Sequence, residues 1–420
     1  MTAAVTHDTG VSAADRVALD RIAACVPVLS GLATAREALG LDDGILGHAG
    51  PPFRHTSDIP PVVLSALAGA AVHEGWAADA RAARAMVLSG EIALRANHDL
   101  GTVSPMSGVV RPSQPLMRVE NAAGDGDAWA TFAEAGRRAL RFGVYDADAA
   151  TGLYHVETVI APEIARALPR GGLPVWPLVA QGLAQGDDTH QRNVGGMAAF
   201  LAALPDLPGP VRAWLSSAPQ HFLNYAMASS KLCLDRASGV PGARIVTAIT
   251  RNGADCAIRL AGTGTAWHRA PASDPVGGFF DGYTQGDAQP DLGDSAIVEA
   301  FGLGGCAAHT APEIARTMGR DWAEARATGA RMRTLFARPS PHFDPALAGR
   351  EGLGFGLHAA RAAGTDGVRI HTGIAHRDGT TGWIGIGVAA APAACFTAAL
   401  TALATAPGAS RAPQSEPEGT

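Results

Sequence analysis

Cysteine is scarce and scattered. Cys25, Cys233, Cys256, Cys306 and Cys395 form no C-x-x-C pair. That argues against a disulfide framework and a thiolate zinc site, and it suits a reducing cytoplasm. Aromatics are also few, 5% of 420 residues, and no apolar run reaches the roughly 18 residues needed to span a bilayer. The opening MTAAVTHDTG lacks a basic segment followed by an apolar core, so no secretion signal is read there. Positive charge is not in excess either. With 33 Lys and Arg against 39 Asp and Glu, the net charge of −6 offers no basic field to a nucleic acid backbone or an anionic membrane. Also missing are a P-loop, a G-x-G-x-x-G turn after a strand, H-E-x-x-H, G-x-S-x-G and any metal-spaced His/Cys cluster, so no cofactor and no metal ligand is expected.

What remains is a globular composition. The hydrophobic share is 47%, and Ala and Gly are abundant, enough for cores in two or three domains of about 100–200 residues each. Residues 1–12 and the stretch PGASRAPQSEPEGT, through 406–420, are small, polar and Pro-rich, and read as disordered. Between them the pattern predicts a mixed α/β (α+β) chain. Residues 13–149 form an N-terminal α/β lobe, 150–240 a largely helical domain punctuated by Pro169, Pro174, Pro177, Pro205, Pro208 and Pro210, and 241–405 a C-terminal α/β lobe, with the two lobes meeting at the site.

Local signals fill in the elements. Leu19, Ile22, Ala23 and Val26 recur at helical spacing up to Pro27. VVLSALAGAAV reads as a buried helix, and HEGWAADARAARAMVLSG, 73–90, as a helix closed by Gly90. ARIVTAIT and ADCAIRLAG alternate like two strands around Asn252-Gly253, a turn-forming pair. RIHTGIA and GWIGIGV predict a second strand pair before the helix of PAACFTAALTALA.

Polar residues concentrate in a few turns. In GDDTHQRN, 186–193, apolar positions resume only at Val194, so Asp187 or Asp188 is expected to cap a helix whose first turns are the octet. Helical spacing would bring Asp187 near His190, and a helix N-terminus beside Arg192 suits an anion. A cap with a surface ion pair explains the same residues without chemistry. PDLGDSAIVEAFGLGG, 290–305, reads as a loop entering a helix capped by Asp294 or Ser295 and closed by Gly302, while Asp291 and Asp294 around Gly293 suit either a cation or an arginine. HAGPPFRH sets His48, Arg54 and His55 around a rigid Pro51-Pro52 step, and TRNG puts Arg251 at a hairpin tip. His98, His371 and His376 stand beside Gly-containing turns, where a histidine is more often structural than catalytic.

Taken in order, HAGPP, EGWA, SPMSG, LRFGVYD, AQGLAQGDDTHQRN, FLNYAMA, IVTAITRNG, PDLGDSAIVEAFGLGG and HTGIAH resemble the AllG or YlbE-like family from about residue 45 to 397. The resemblance implies a subunit of oxamate carbamoyltransferase, acting in allantoin breakdown (purine degradation) with FdrA-like and AllH-like subunits and forming an oligomer. The implied reaction exchanges a carbamoyl group between carbamoyl phosphate and oxamate, giving oxalurate and phosphate. On that basis His190 oriented by Asp187 is the expected base, and Arg192, Arg251 and Arg54 are the expected anion-binding cations. His48, His98, Asn193, Asn252, Asp294, Ser295 and His376 complete the expected substrate-binding set. Classical carbamoyltransferases use S-x-R-T-R and H-P-x-Q segments, and neither occurs here, so any such activity must come from a different site. The chain also departs from the family pattern at Asn97-His98, where a histidine pair is usual, and at Ser104, where a glycine is usual.

Three readings follow. The first is a carbamoyl-transfer enzyme or catalytic subunit, which requires these side chains to converge on one pocket. The second is a C–N (amide) hydrolase on the same scaffold, and the third a non-catalytic subunit whose partner holds the chemistry.

Overall fold

The computed structural model describes residues 9–346 and 351–405. The expected disorder at 1–8 and 406–420 lies outside that range. Residues 9–12 are tied down: Ser12 and Asp15 form a reciprocal cap on the helix Ala13–Ala23, and Arg361 Nε donates to the Thr9 carbonyl at 3.1 Å.

The helix Phe222–Asp235 organises the molecule. Every residue from Phe222 to Leu234 is buried, as expected of a helix that neighbours surround on all sides. It packs against the strands Pro115–Asn121 and Asp127–Ala130 of one sheet and against Val246–Asn252 of another. The first sheet has five strands, with Pro27–Thr34 between Pro115–Asn121 and the short Leu173–Pro174. The second has four, with Val246–Asn252 between Asp255–Leu260 and Leu292–Gly293. A three-stranded sheet carries Val368–Ala375 and Trp383–Ala391, paired antiparallel, ahead of the helix Ala393–Thr405. One apolar core runs through all of this, from Ala18 and Met117 through Phe200 and Tyr225 to Ile249 and Phe396. The 150–240 segment is therefore helical but shares its core with the sequence on both sides of it.

The fold is mixed α/β, and both expected hairpin pairs are present. Asn252 shapes the first turn by accepting from the N–H groups of Ala254 and Asp255. Two helical expectations are corrected. The stretch 73–90 is broken: one helix ends at His73, Gly75 takes a left-handed φ of 75°, and the next helix, Ala80–Ser89, starts under an Asp79 cap. The helix in 290–305 is Ile297–Phe301, and neither Asp294 nor Ser295 caps it. No helix among the described residues is long and apolar enough to cross a membrane.

Candidate active site

The octet 186–193 is a loop, since the helix Val194–Ala203 begins only after it. Thr189 sits at φ 62°, which costs a β-branched residue on the order of 1–3 kcal/mol and needs firm support. Asp188 supplies much of it. Its Oδ1 accepts from the N–H groups of His190 at 3.0 Å and Arg192 at 2.8 Å, and its carbonyl accepts from Gly304 N–H at 2.7 Å. Asp187 reaches forward instead: Oδ2 accepts from Gly196 N–H at 2.8 Å and Oδ1 from Arg192 at 2.5 Å. Asp187 thus caps the helix from outside it. Burial pushes its carboxyl up from the ordinary value, against the pull of the Gly196 and Gly195 N–H groups and of Arg192.

The expected pairing of Asp187 with His190 is therefore corrected. His190 Nδ1 lies 2.7 and 2.9 Å from the two carboxylate oxygens of Glu299. Glu299 Oε1 also accepts from Gly305 N–H at 2.8 Å and His371 N–H at 3.1 Å. His371 Nδ1 in turn lies 2.5 Å from Asp188 Oδ2. Burial works to raise the Asp188 carboxyl, but His371 and the two backbone donors outweigh it and hold it below the ordinary value. The result is a closed, buried network of two acids and two histidines. With Nδ1–H donated to Glu299, the neutral His190 ring presents Nε2 as an acceptor, and Nε2 has no protein partner among the described residues.

His190 borders a narrow cavity of about 50 Å³, together with Arg141, Gln191, Ser295 and an apolar wall that includes Phe142 and Trp383. Those two rings stack 5.9 Å apart, and Trp383 Nε1 is satisfied by the Gly385 carbonyl. Gln191 Nε2 is buried with no protein partner, so it is a donor available to a ligand. Arg141 separates this cavity from a second hollow lined by Glu134 and Thr131, and among the described residues no carboxylate stands within salt-bridge distance of it. Burial lowers the Arg141 pKa, with Glu134 opposing. Met106, at φ 57°, also lines the cavity, on a loop locked in place where Pro105 bridges to Gly293. Among the described residues no group of three or more His, Cys, Asp or Glu is arranged to hold a metal ion.

The other expected residues divide. Ser295 reaches the cavity, with Arg251 Nη2 3.5 Å from its hydroxyl. Arg251 is not a free cation: Asp291 grips it through Nε at 2.7 Å and Nη2 at 3.1 Å, and Nη1 donates to the Gly293 carbonyl at 2.5 Å. Asp291 thus holds an arginine, one of the two roles its position suggested. Arg192 is taken by Asp187 and the Gln185 carbonyl, and Arg54 lies on the surface against Asp255. Asp294 is a structural hub, accepting from Gly50 and Ser104 N–H, Thr250 Oγ1 and Asn97 Nδ2. Asn193 braces the octet through the His190 carbonyl and Gln220, and Asn252 holds the Pro51 carbonyl. His48 is buried on the Ala49 carbonyl, and burial lowers its pKa to about 4. His98 lies in a separate polar hollow with Lys231 and Arg259, and His376 stands in the turn with Asp378.

The chain's similarities agree with one another. Residues 92–295 match the family described as oxamate carbamoyltransferase subunit AllG. The chain is 36% identical to the oxamate carbamoyltransferase subunit AllG of Escherichia coli K12, over 95% of this chain and 99% of that one. It is 32% identical to the uncharacterized protein YahG of the same organism, over 93% and 85%. A crystal structure of a conserved protein of unknown function from Enterococcus faecalis V583 superposes with a TM-score of 0.87 at 30% identity, covering 94% of this chain and 97% of that one.

Proposed function

Because the chain belongs to the AllG family, we propose that it is the carbamoyl-transfer subunit of an oxamate carbamoyltransferase, with its chemistry at the His190 cavity. The supporting observation is His190 itself, buried on Glu299 through Nδ1, with Nε2 unpartnered beside an arginine that lacks a salt bridge.

In this reading Arg141 holds an anionic end of the substrates, either the oxamate carboxylate or the phosphoryl group. The oxamate nitrogen attacks the carbamoyl carbon of carbamoyl phosphate while His190 Nε2 takes the proton that nitrogen loses. The new C–N bond forms as the bond from carbamoyl carbon to phosphate oxygen breaks, and phosphate leaves with its electron pair. Glu299 stabilises the imidazolium so formed. Gln191 Nε2 and the Ser295 hydroxyl donate to the carbonyl oxygen as it gains charge. FdrA-like and AllH-like subunits complete the assembly, and the chain itself is an oligomer in it.

A second reading, an amide (C–N) hydrolase, uses the same His190–Glu299 pair with water as nucleophile. It is favoured by Arg141 being the one guanidinium among the described residues that lines the His190 cavity, which is little for a phosphate clamp.

The test is phosphate release from carbamoyl phosphate, with and without oxamate, by the chain alone and co-produced with its partner subunits. Oxamate-dependent release that is lost in both His190→Gln and Arg141→Gln is the expected result. Full activity in both variants would overturn the assignment of this cavity. Ammonia release from oxamate without carbamoyl phosphate would favour the hydrolase.

A further inference from the structure

A larger cavity, about 500 Å³, lies between the helix Trp322–Arg333, the 365–369 stretch and Val388, Ala389 and Ala390 of the strand Trp383–Ala391. That volume is within the usual range for a small-molecule site. Arg320, Arg331 and Arg369 all line it. Arg320 is matched by Glu324 at 2.7 Å, on a partly exposed pair. Arg331 donates to Thr328 Oγ1 at 3.1 Å. Asp274 and Asp366 also border the cavity, yet among the described residues no carboxylate comes within salt-bridge distance of Arg331 or Arg369. Arg369 is the most exposed to conflict: its Nε is buried without a hydrogen-bond partner. Burial, and then the charge of Arg320, pulls its pKa down to about 10; the Glu324 carboxylate opposes this and Arg331 adds to it. Concentrating guanidinium groups this way costs folding free energy, and a bound anion would offset it.

Geometry separates this cavity from the His190 site while keeping it adjacent. Arg369, His371 and Gly373 alternate along the strand Val368–Ala375 and so point to one face. Arg369 serves the large cavity, His371 holds Asp188, and Gly373 lines the His190 cavity. Arg369 and His371 also share the lining of a small hollow with Arg320 and Thr328.

We propose that this arginine-lined cavity binds a phosphate-class dianion, at a site distinct from the His190 cavity. Guanidinium groups recognise phosphate oxygens through paired N–H donors, and the Thr328 hydroxyl, which accepts from Arg331, can donate its own hydrogen into the same cavity. The inference is independent of the reaction assigned above. The anion has two sources, inorganic phosphate or the phosphate of an organic metabolite, and the volume leaves room for either.

Calorimetric titration at constant ionic strength, with inorganic phosphate and with adenosine 5′-monophosphate as probes, tests it. Wild type and Arg141→Gln are expected to bind saturably, and Arg369→Gln and Arg331→Gln to bind at least about tenfold more weakly, with Arg369→Lys intermediate. Unliganded Arg369→Gln is expected to melt no lower than wild type, because the substitution removes a repelled charge. Preference for one probe identifies the source of the anion. The proposal is overturned if wild type shows no saturable binding of either probe, or if the Arg331 and Arg369 variants bind as well as wild type. Loss of all binding in Arg141→Gln would also overturn it, since the anion would then belong to the His190 cavity.

Discussion

His190 and Glu299 are 109 residues apart in the chain, and their side chains meet at 2.7 Å inside the protein. Glu299 is fully buried and is also held by two backbone N–H groups, so the imidazole is fixed by an acid that itself cannot turn. An imidazole held this way depends on its acid for tautomer and orientation.

Glu299→Gln should therefore lower kcat by about 10²–10⁴ with a smaller change in KM, because the amide no longer stabilises the imidazolium. Asp187→Asn, which touches Arg192 and the helix start, should act mainly on stability. Steady-state kinetics beside thermal melting separates the two. Equal kcat losses in both variants would return Asp187 to the catalytic set.

Arg251 offers the opposite contrast. Its charge and that of Asp291 are both buried, so Arg251→Gln leaves a carboxylate uncompensated and should cost about 3–5 kcal/mol. Arg54→Ala breaks an exposed pair and should cost no more than about 1 kcal/mol. Denaturant midpoints measure both. A mild effect at Arg251 with a large rise in KM would mean that it meets substrate directly.

Gly304 stands at φ 58°, and a Cβ added there would fall 2.0 Å from Glu299 Oε1. Gly304→Ala must move Glu299, and with it His190. Activity should fall by about 10²-fold while the chain still folds, which circular dichroism and turnover together would reveal. Unchanged turnover would argue against any role for the Glu299 position.

Acid should destabilise the protein as soon as pH falls below the ordinary histidine range. Burial holds His48, His221, His309 and His342 at about 4, against an ordinary 6.5. As pH falls below 6.5 the unfolded chain takes up protons that the folded chain refuses until about pH 4. Stability therefore drops across that window, by at most about 1.4 kcal/mol per pH unit for each histidine. His342 lies among Trp176, Phe301 and Phe355, with Nε2 unpartnered, so His342→Phe should flatten the slope. Melting curves from pH 7 to 4.5 check this, and an unchanged slope in the variant would exclude His342 as a contributor.

Local patterns were legible because period and turn chemistry act over a few residues. Alternation around Asn252-Gly253 was enough to place one hairpin, and Leu19 with Ile22 to place the first helix. The octet GDDTHQRN likewise stood out as a candidate, since so many polar groups beside one glycine have few local uses. Which of its neighbours would serve it was not visible. Helical spacing paired His190 with Asp187, but the octet folds as a loop around Thr189, and that turns Asp187 toward Gly196 and Arg192. Arg251 read as a free cation because the acid that neutralises it, Asp291, lies 40 positions away on an adjoining strand connection. Arg141 and Glu299 carried no local signal at all. Their places beside the cavity come from tertiary packing, which brings distant loops together and strips them of water. Charge pairing in such a place depends on three-dimensional distance, and only the tertiary structure sets that.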